Sequence, residues 1–247
     1  YSSWINTLNA QPGPRMALDV PSGLDADTGQ PLGTTFCATH TTTFIALKPG
    51  LLTLDGPDYC GEISVQRIDI DAPAWLQPHG HAIAPSLFRH MLRPRPRNSH
   101  KGLYGDAAIV GGNTGMVGAA LLAGRAALWL GTGRVYVGLA DPDGPAVDLV
   151  HPELMLRQAT EVPERLSAMA VGPGLGTDTT STALLAAALR RDIPLVLDAD
   201  ALNLLAADES LRAQCRARQT ISVVTPHPLE AARLLGCDVE QVQADRI

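Results

Sequence analysis

Four turns after Gly102 gather residue types that do chemistry. In GGNTGMVGAA, Gly111 to Ala120, four glycines and Asn113 lie between an apolar run and a run of small residues. Glycine permits positive φ and lets backbone amides approach a ligand, and a helix amino end favours anionic groups. A purely structural tight turn explains the same residues. VGPGLGTD, Val171 to Asp178, repeats the arrangement, and Thr177 or Asp178 stands where an N-cap belongs. Pro173 breaks the GxGxxG spacing and no lysine follows as in a P-loop, so neither phosphate fingerprint applies. In LDADALNLL, Asp198, Asp200 and Asn203 meet at a strand end, a set that can hold magnesium, orient a water or cap a helix. In VVTPHPLEAARLL, Pro226 and Pro228 stiffen the backbone around His227, and Glu230 falls in the positive first turn of a helix. That predicts a presented imidazole, against the commoner role of a lone histidine as a surface or cap residue.

These turns need elements to hold them. After Gly102 the sequence alternates short apolar runs (DAAIVG, RVYVGL, AMAVG, PLVLD, SVVTP) with small-residue or amphipathic runs (AALLAGRAALWLG, TSTALLAAALRR, ADALNLLA, PLEAARLLG). The alternation predicts a parallel α/β domain with its unusual turns on the carboxyl edge of the sheet, where such sheets bind ligands. Earlier in the chain MALDV delivers the polar turn PSGLDADTG, and TTTFIAL and GEISVQRIDI read as strands, the latter alternating through Ile68 and Ile70. Prolines at 73, 78, 85, 94 and 96 mark a linker with a short helix around SLFRHML. The domain boundary is placed there, giving domains 1–75 and 76–247.

Composition narrows the function. A net charge of −6 and a pI near 5.6 speak against a nucleic-acid surface. The apolar stretches are too short and interrupted to cross a bilayer, and no signal segment opens the chain, so a cytoplasmic protein is expected. Cys37, Cys60, Cys215 and Cys237 form no CxxC and read as reduced, mostly buried thiols.

KGLYGDAAIVGGNTGMVGAA, AVGPGLGTD, VLDADALNLL and VTPHPLEAARLLG, in this order, resemble the carbohydrate-kinase-like domain of the NAD(P)H-hydrate dehydratases, relatives of the ribokinase fold. ALDVPSGLDADTG, TTTFIALKPGL and GEISV resemble the end of the NAD(P)H-hydrate epimerase domain, which is fused ahead of the dehydratase in many bacteria. The resemblance implies an α/β chain: the end of a Rossmann-like epimerase domain, then a ribokinase-like domain incomplete at its C-terminus. The function implied is repair of hydrated nicotinamide cofactors, in which ADP or ATP with magnesium turns a poor leaving group, hydroxide, into a better one. It implies Asp19 as a substrate-binding residue and Ser22 as a potassium ligand of the epimerase. In the dehydratase it implies Ala119, Gly174 or Gly176, and His227 as hydrate contacts. Lys101 and Tyr104 match a conspicuous part of the family pattern, and Lys101 either neutralises phosphate or is solvated. Asn113, Asp198, Asn203 and Glu230 are candidate phosphate or substrate contacts.

The substrates implied are NADH hydrate and NADPH hydrate, with no nucleic-acid or membrane partner, and a homo-oligomer is suggested by analogy only. The chain reads as a fragment cut at both ends, its general-base aspartate lying beyond Ile247 and its own activity lost. Two other readings stay open: a small-molecule kinase of the same fold acting on a vitamin alcohol, and a noncatalytic nucleotide-binding module. The fused arrangement leans towards ADP.

Overall fold

The computed structural model describes residues 1–70, 77–78, 80–92 and 94–246. The chain divides into two compact units, 1–93 with 240–247, and 94–239. The expected boundary at 75/76 falls at residues 71–76, outside the described residues.

In the first unit, α1 (Ser2–Asn9) precedes a three-stranded parallel sheet ordered β1 (Met16–Leu18), β2 (His40–Phe44), β3 (Glu62–Gln66), with the short helix α2 (Gly56–Cys60) before β3. Leu24, Leu51 and Cys60 form its small core. Thr41 is buried because its hydroxyl donates to the Cys60 carbonyl at 2.7 Å, which satisfies the polar atom inside the apolar layer. The strand expected to run through Ile70 ends at Gln66. Its partner β2 ends at Phe44, the last paired position, and Ile45 there turns to φ 69°. Alternation alone makes no strand without a neighbour, and Ile68 and Ile70 are solvent-exposed. The helix expected around SLFRHML is one turn, α3 (Pro85–Phe88), begun by a proline at its first position. The chain's last described helix is α9 (Val239–Ala244).

The second unit is a six-stranded, all-parallel sheet. It contains β4 (Asp106–Gly111), β5 (Arg134–Leu139), β6 (Met155–Gln158), β7 (Ala168–Val171), β8 (Leu195–Leu197) and β9 (Ser222–Val224), in the order β6-β5-β4-β7-β8-β9. Helices α4 (Val117–Trp129), α5 (Thr179–Leu189), α6 (Asp200–Ala207) and α7 (Glu209–Arg216) lie between strands, and α8 (Pro228–Leu235) follows β9. The central strands are apolar at nearly every position because both faces are covered. Ala108 and Val110 pack with Met169, Val171, Leu185, Leu197 and Leu202, while Ile109 on the other face packs with Ala120, Val135, Val137 and Leu156. The predicted parallel α/β domain is present, with β6 and α7 as additions that the sequence reading did not contain.

All four cysteines are free, but the expectation of mostly buried thiols holds for Cys60 alone; Cys37, Cys215 and Cys237 are partly exposed. Among the described residues no helix is long and apolar enough to cross a membrane.

Candidate active site at the carboxyl edge of the sheet

The strand order reverses at β4: the chain runs outward through β5 and β6, then returns to place β7 on the other side of β4. Open α/β sheets form their ligand crevice at such a switch point. The turns that leave β4 and β7 are the two glycine-rich turns, so the fold sets them side by side. Gly112 N donates to Pro173 O at 2.9 Å and Asn113 N to Gly174 O at 2.6 Å. The Asn113 side chain donates from Nδ2 to Leu175 O and to Asp178 Oδ2, both at 3.2 Å. Gly174 adopts φ 61°, and a Cβ there would lie 2.7 Å from Met116 O and 3.2 Å from the Ala119 methyl. Ala119 and Gly174 thus face each other, and only small residues leave the backbones this close.

Of the two cap candidates, Thr177 and Asp178, it is Asp178 that caps α5, accepting from Ser181 N at 2.8 Å. That bond and the others it accepts hold its carboxyl below the usual carboxylate range. The amino end of α4, by contrast, carries no side-chain cap.

The neighbouring turns join the same network. Asp200 Oδ2 accepts from Gly176 N at 2.9 Å, Asp198 Oδ1 accepts from Thr225 Oγ1 at 2.8 Å, and Asn203 Oδ1 accepts from Arg233 Nη1 at 2.6 Å. His227 is the N-cap of α8. Its Nδ1 accepts from Leu229 N and Glu230 N, while the buried Glu230 accepts from His227 N at 2.9 Å, a reciprocal capping box. With Nδ1 accepting, the neutral ring carries its proton on Nε2, which lies 3.1 Å from Glu230 Oε1. Both nitrogens are therefore engaged, and the half-exposed ring face is what His227 can offer a ligand. Of the cap and the presented side chain that the sequence left open for His227, the structure shows the cap, with the ring still half-exposed.

Lys101 is not brought to these turns. It opens the 3-10 turn 101–104 before β4, at the amino edge, about 20 Å away for a six-residue strand. Tyr104 beside it donates to Ser99 Oγ at 2.6 Å and carries the Arg95 guanidinium 3.7 Å over its ring.

In the first unit Asp19 follows β1 with φ 67°. Its Oδ1 accepts from Thr43 Oγ1 and Phe44 N, each at 3.1 Å, and pairs with Lys48, whose ammonium also donates to Thr43 Oγ1 and Phe44 O. Lys48 and the Phe44 amide hold the Asp19 carboxyl below its ordinary range, and Oδ2 accepts none of these bonds. The sequence reading missed Lys48, though it lies in the TTTFIALKPGL stretch. Ser22 lines a cleft of about 380 Å³ walled by Tyr1, Trp4, Leu18 and Phe36, and its carbonyl accepts from Phe36 N at 2.9 Å.

Residues 107–247 match the carbohydrate-kinase-type family described as NAD(P)H-hydrate dehydratase. The chain belongs to the NAD(P)H-hydrate dehydratase family. Residues 1–50 match a second family, the YjeF-related protein N-terminus. The chain is 39% identical over 254 residues to the bifunctional NAD(P)H-hydrate repair enzyme Nnr of Escherichia coli (strain K12), a match covering all of this chain and 48% of that protein. It is 46% identical over 164 residues to the ADP-dependent (S)-NAD(P)H-hydrate dehydratase of Neisseria meningitidis, covering 64% of this chain and 55% of that one. It spans about half the length of the curated relatives it matches. Among solved structures, the ADP/ATP-dependent NAD(P)H-hydrate dehydratase of Bacillus subtilis, co-crystallised with ATP and magnesium, aligns with TM-score 0.55 and 31% identity over 66% of this chain and 58% of that one. The second unit therefore has the ribokinase-like fold of this dehydratase family.

No group of three or more histidine, cysteine, aspartate or glutamate side chains among the described residues is placed to hold a metal ion. Asp198 and Asp200 each give one oxygen, to Thr225 and to Gly176, and Lys101 lies on the far edge.

Proposed function

We propose that the parent protein repairs hydrated nicotinamide cofactors, and that unit 94–239 supplies the nicotinamide side of an ADP- or ATP-dependent, magnesium-requiring dehydration of (6S)-NAD(P)H hydrate. The observation that carries this reading is the pair of interlocked glycine turns at the strand-order reversal, where Ala119 faces Gly174 across a gap closed to larger side chains. Such a cradle suits a flat, uncharged ring approaching backbone. Gly176 and the His227 ring face complete the substrate contacts, and Asn113 holds the two turns in register. Asn203 and Glu230 support this edge from beneath, through Arg233 and through the α8 cap.

Unit 1–93 contributes to the epimerase that interconverts the two hydrates, with Asp19 Oδ2 offered to substrate and Ser22 to potassium. The domain break lies in the proline-rich segment between 71 and 97. Four free thiols support a reducing, cytoplasmic setting.

The test is thermal unfolding of the chain with NADH hydrate, with NADH, and with a thiazole or pyridoxal alcohol, each with and without magnesium and ADP or ATP. The hydrate is expected to raise the midpoint with concentration, as a ligand of the native state must. Stabilisation by the vitamin alcohol and none by the hydrate would replace this reading with a small-molecule kinase.

A further inference from the structure

The β8 to α6 turn contains a strained residue. Ala199 adopts φ 49° and ψ −116°, a conformation L side chains rarely take. Its carbonyl opens α6 by accepting from Leu202 N at 3.0 Å and Asn203 N at 3.1 Å. The strain separates two neighbouring carboxylates. Asp198 reaches one way, to Thr225 in the turn that leads to His227; Asp200 reaches the other, to the Gly176 amide in the glycine turn. Room for this geometry exists because residue 172 is glycine: a Cβ there would stand 1.7 Å from Asp198 O. Asn203 adds a second tie, taking Arg233 of α8 on Oδ1 and reaching Asp200 Oδ1 from Nδ2 at 3.4 Å.

We propose that Asp200 is a positioning residue for hydrate binding: by accepting the Gly176 amide proton it holds the glycine turn against Asn113 and Ala119, while Asp198 does the same for the His227 turn through Thr225. This role rests on the functional reading above. What it requires of residue 200 is an acceptor oxygen at this place, not a negative charge. Asparagine therefore serves and alanine does not, whereas a role that needs the negative charge would tolerate neither.

The experiment compares the chain with its Asp200→Ala, Asp200→Asn and Thr225→Val variants, reading hydrogen exchange at the Gly176 amide by NMR and NADH-hydrate affinity by calorimetry. Asp200→Asn is expected to keep the amide protected and to bind within about twofold of the parent chain. Asp200→Ala is expected to lose the protection and to bind about tenfold more weakly, the scale of one hydrogen bond to a charged group. Thr225→Val keeps Gly176 protected and also weakens binding, which preserves a test if the alanine variant does not fold. Unchanged affinity in Asp200→Ala or in Thr225→Val, or an Asp200→Asn variant as weak as alanine with its amide still protected, overturns the positioning role alone. Failure of the unsubstituted chain to bind hydrate overturns the functional reading and this role with it.

Discussion

His227 holds a helix and, in the proposed function, also faces the substrate. Its Nδ1 accepts from two α8 amides, so the ring orientation is set by the backbone it caps. Replacing it with alanine removes that cap and is expected to cost about 1 kcal/mol of stability in urea unfolding. Asparagine, a favoured cap residue, is expected to return most of that stability. It supplies no ring face, so NADH-hydrate affinity should stay as low as in the alanine variant. If His227→Asn binds like the parent chain, the histidine is a cap and nothing more. Glu230 belongs to the same unit: a carboxylate so buried survives because it accepts the His227 amide and sits in the positive first turn of α8.

At the scale of elements, three arginines finish structures that the backbone leaves open. A helix ends with carbonyls that have no intrahelical partner. Arg218 donates to Leu189 O, Arg191 O and Ile193 O at 2.5 to 2.7 Å, and to Ser222 and Thr220 hydroxyls, tying the end of α5 to the start of β9. Arg212 does the same for Leu205 and Ala206 at the end of α6, and Arg191 for Val162 and Pro163 before β7. Arg218→Ala is expected to destabilise the second unit by about 2 to 3 kcal/mol, since several charge-assisted bonds go at once. Lysine should recover little, because a single ammonium cannot reproduce a planar fork with five donors. Urea denaturation of both variants checks this, and a lysine variant as stable as the parent would show that charge rather than fork geometry matters.

Over the whole molecule, the carboxylates set the response to acid. Asp148 is buried in the loop between β5 and β6, gripped by Arg125 of α4 through two bonds at 2.7 and 2.8 Å. Arg125 first, helped by the Val150 amide, holds its carboxyl far below the usual range. Asp19, Asp25, Asp178 and Glu209 are shifted in the same direction by their own donors. A group whose folded pKa is depressed contributes stability that is complete above the unfolded value, near 4, and is lost as pH falls through the lower folded value. The chain is therefore expected to hold its urea midpoint from pH 7 to about pH 5 and to lose it below pH 4. Asp148→Asn should lower the midpoint at pH 7 and flatten the acid slope; an unchanged slope would show that this pair does not anchor the loop in solution.

The strand and helix alternation, the glycine turns at strand ends and an N-cap at Thr177 or Asp178 were all legible in the sequence because each depends on residues within one or two turns of one another. The family motifs lay there too, in order. Other features depended on partners far along the chain: β7 lies beside β4, β3 stops at Gln66, and Lys101 faces the edge away from the turns. The partners of Asp198, Asp200 and Asn203 stand 27, 24 and 30 residues away. The sequence by itself determined which turns gather glycines, acids and a histidine at strand ends. Only the tertiary structure decided that Asp198 and Asp200 each give one oxygen to a neighbouring turn, because a carboxylate's role follows from the donors that reach it, and those donors come from the turns after other strands.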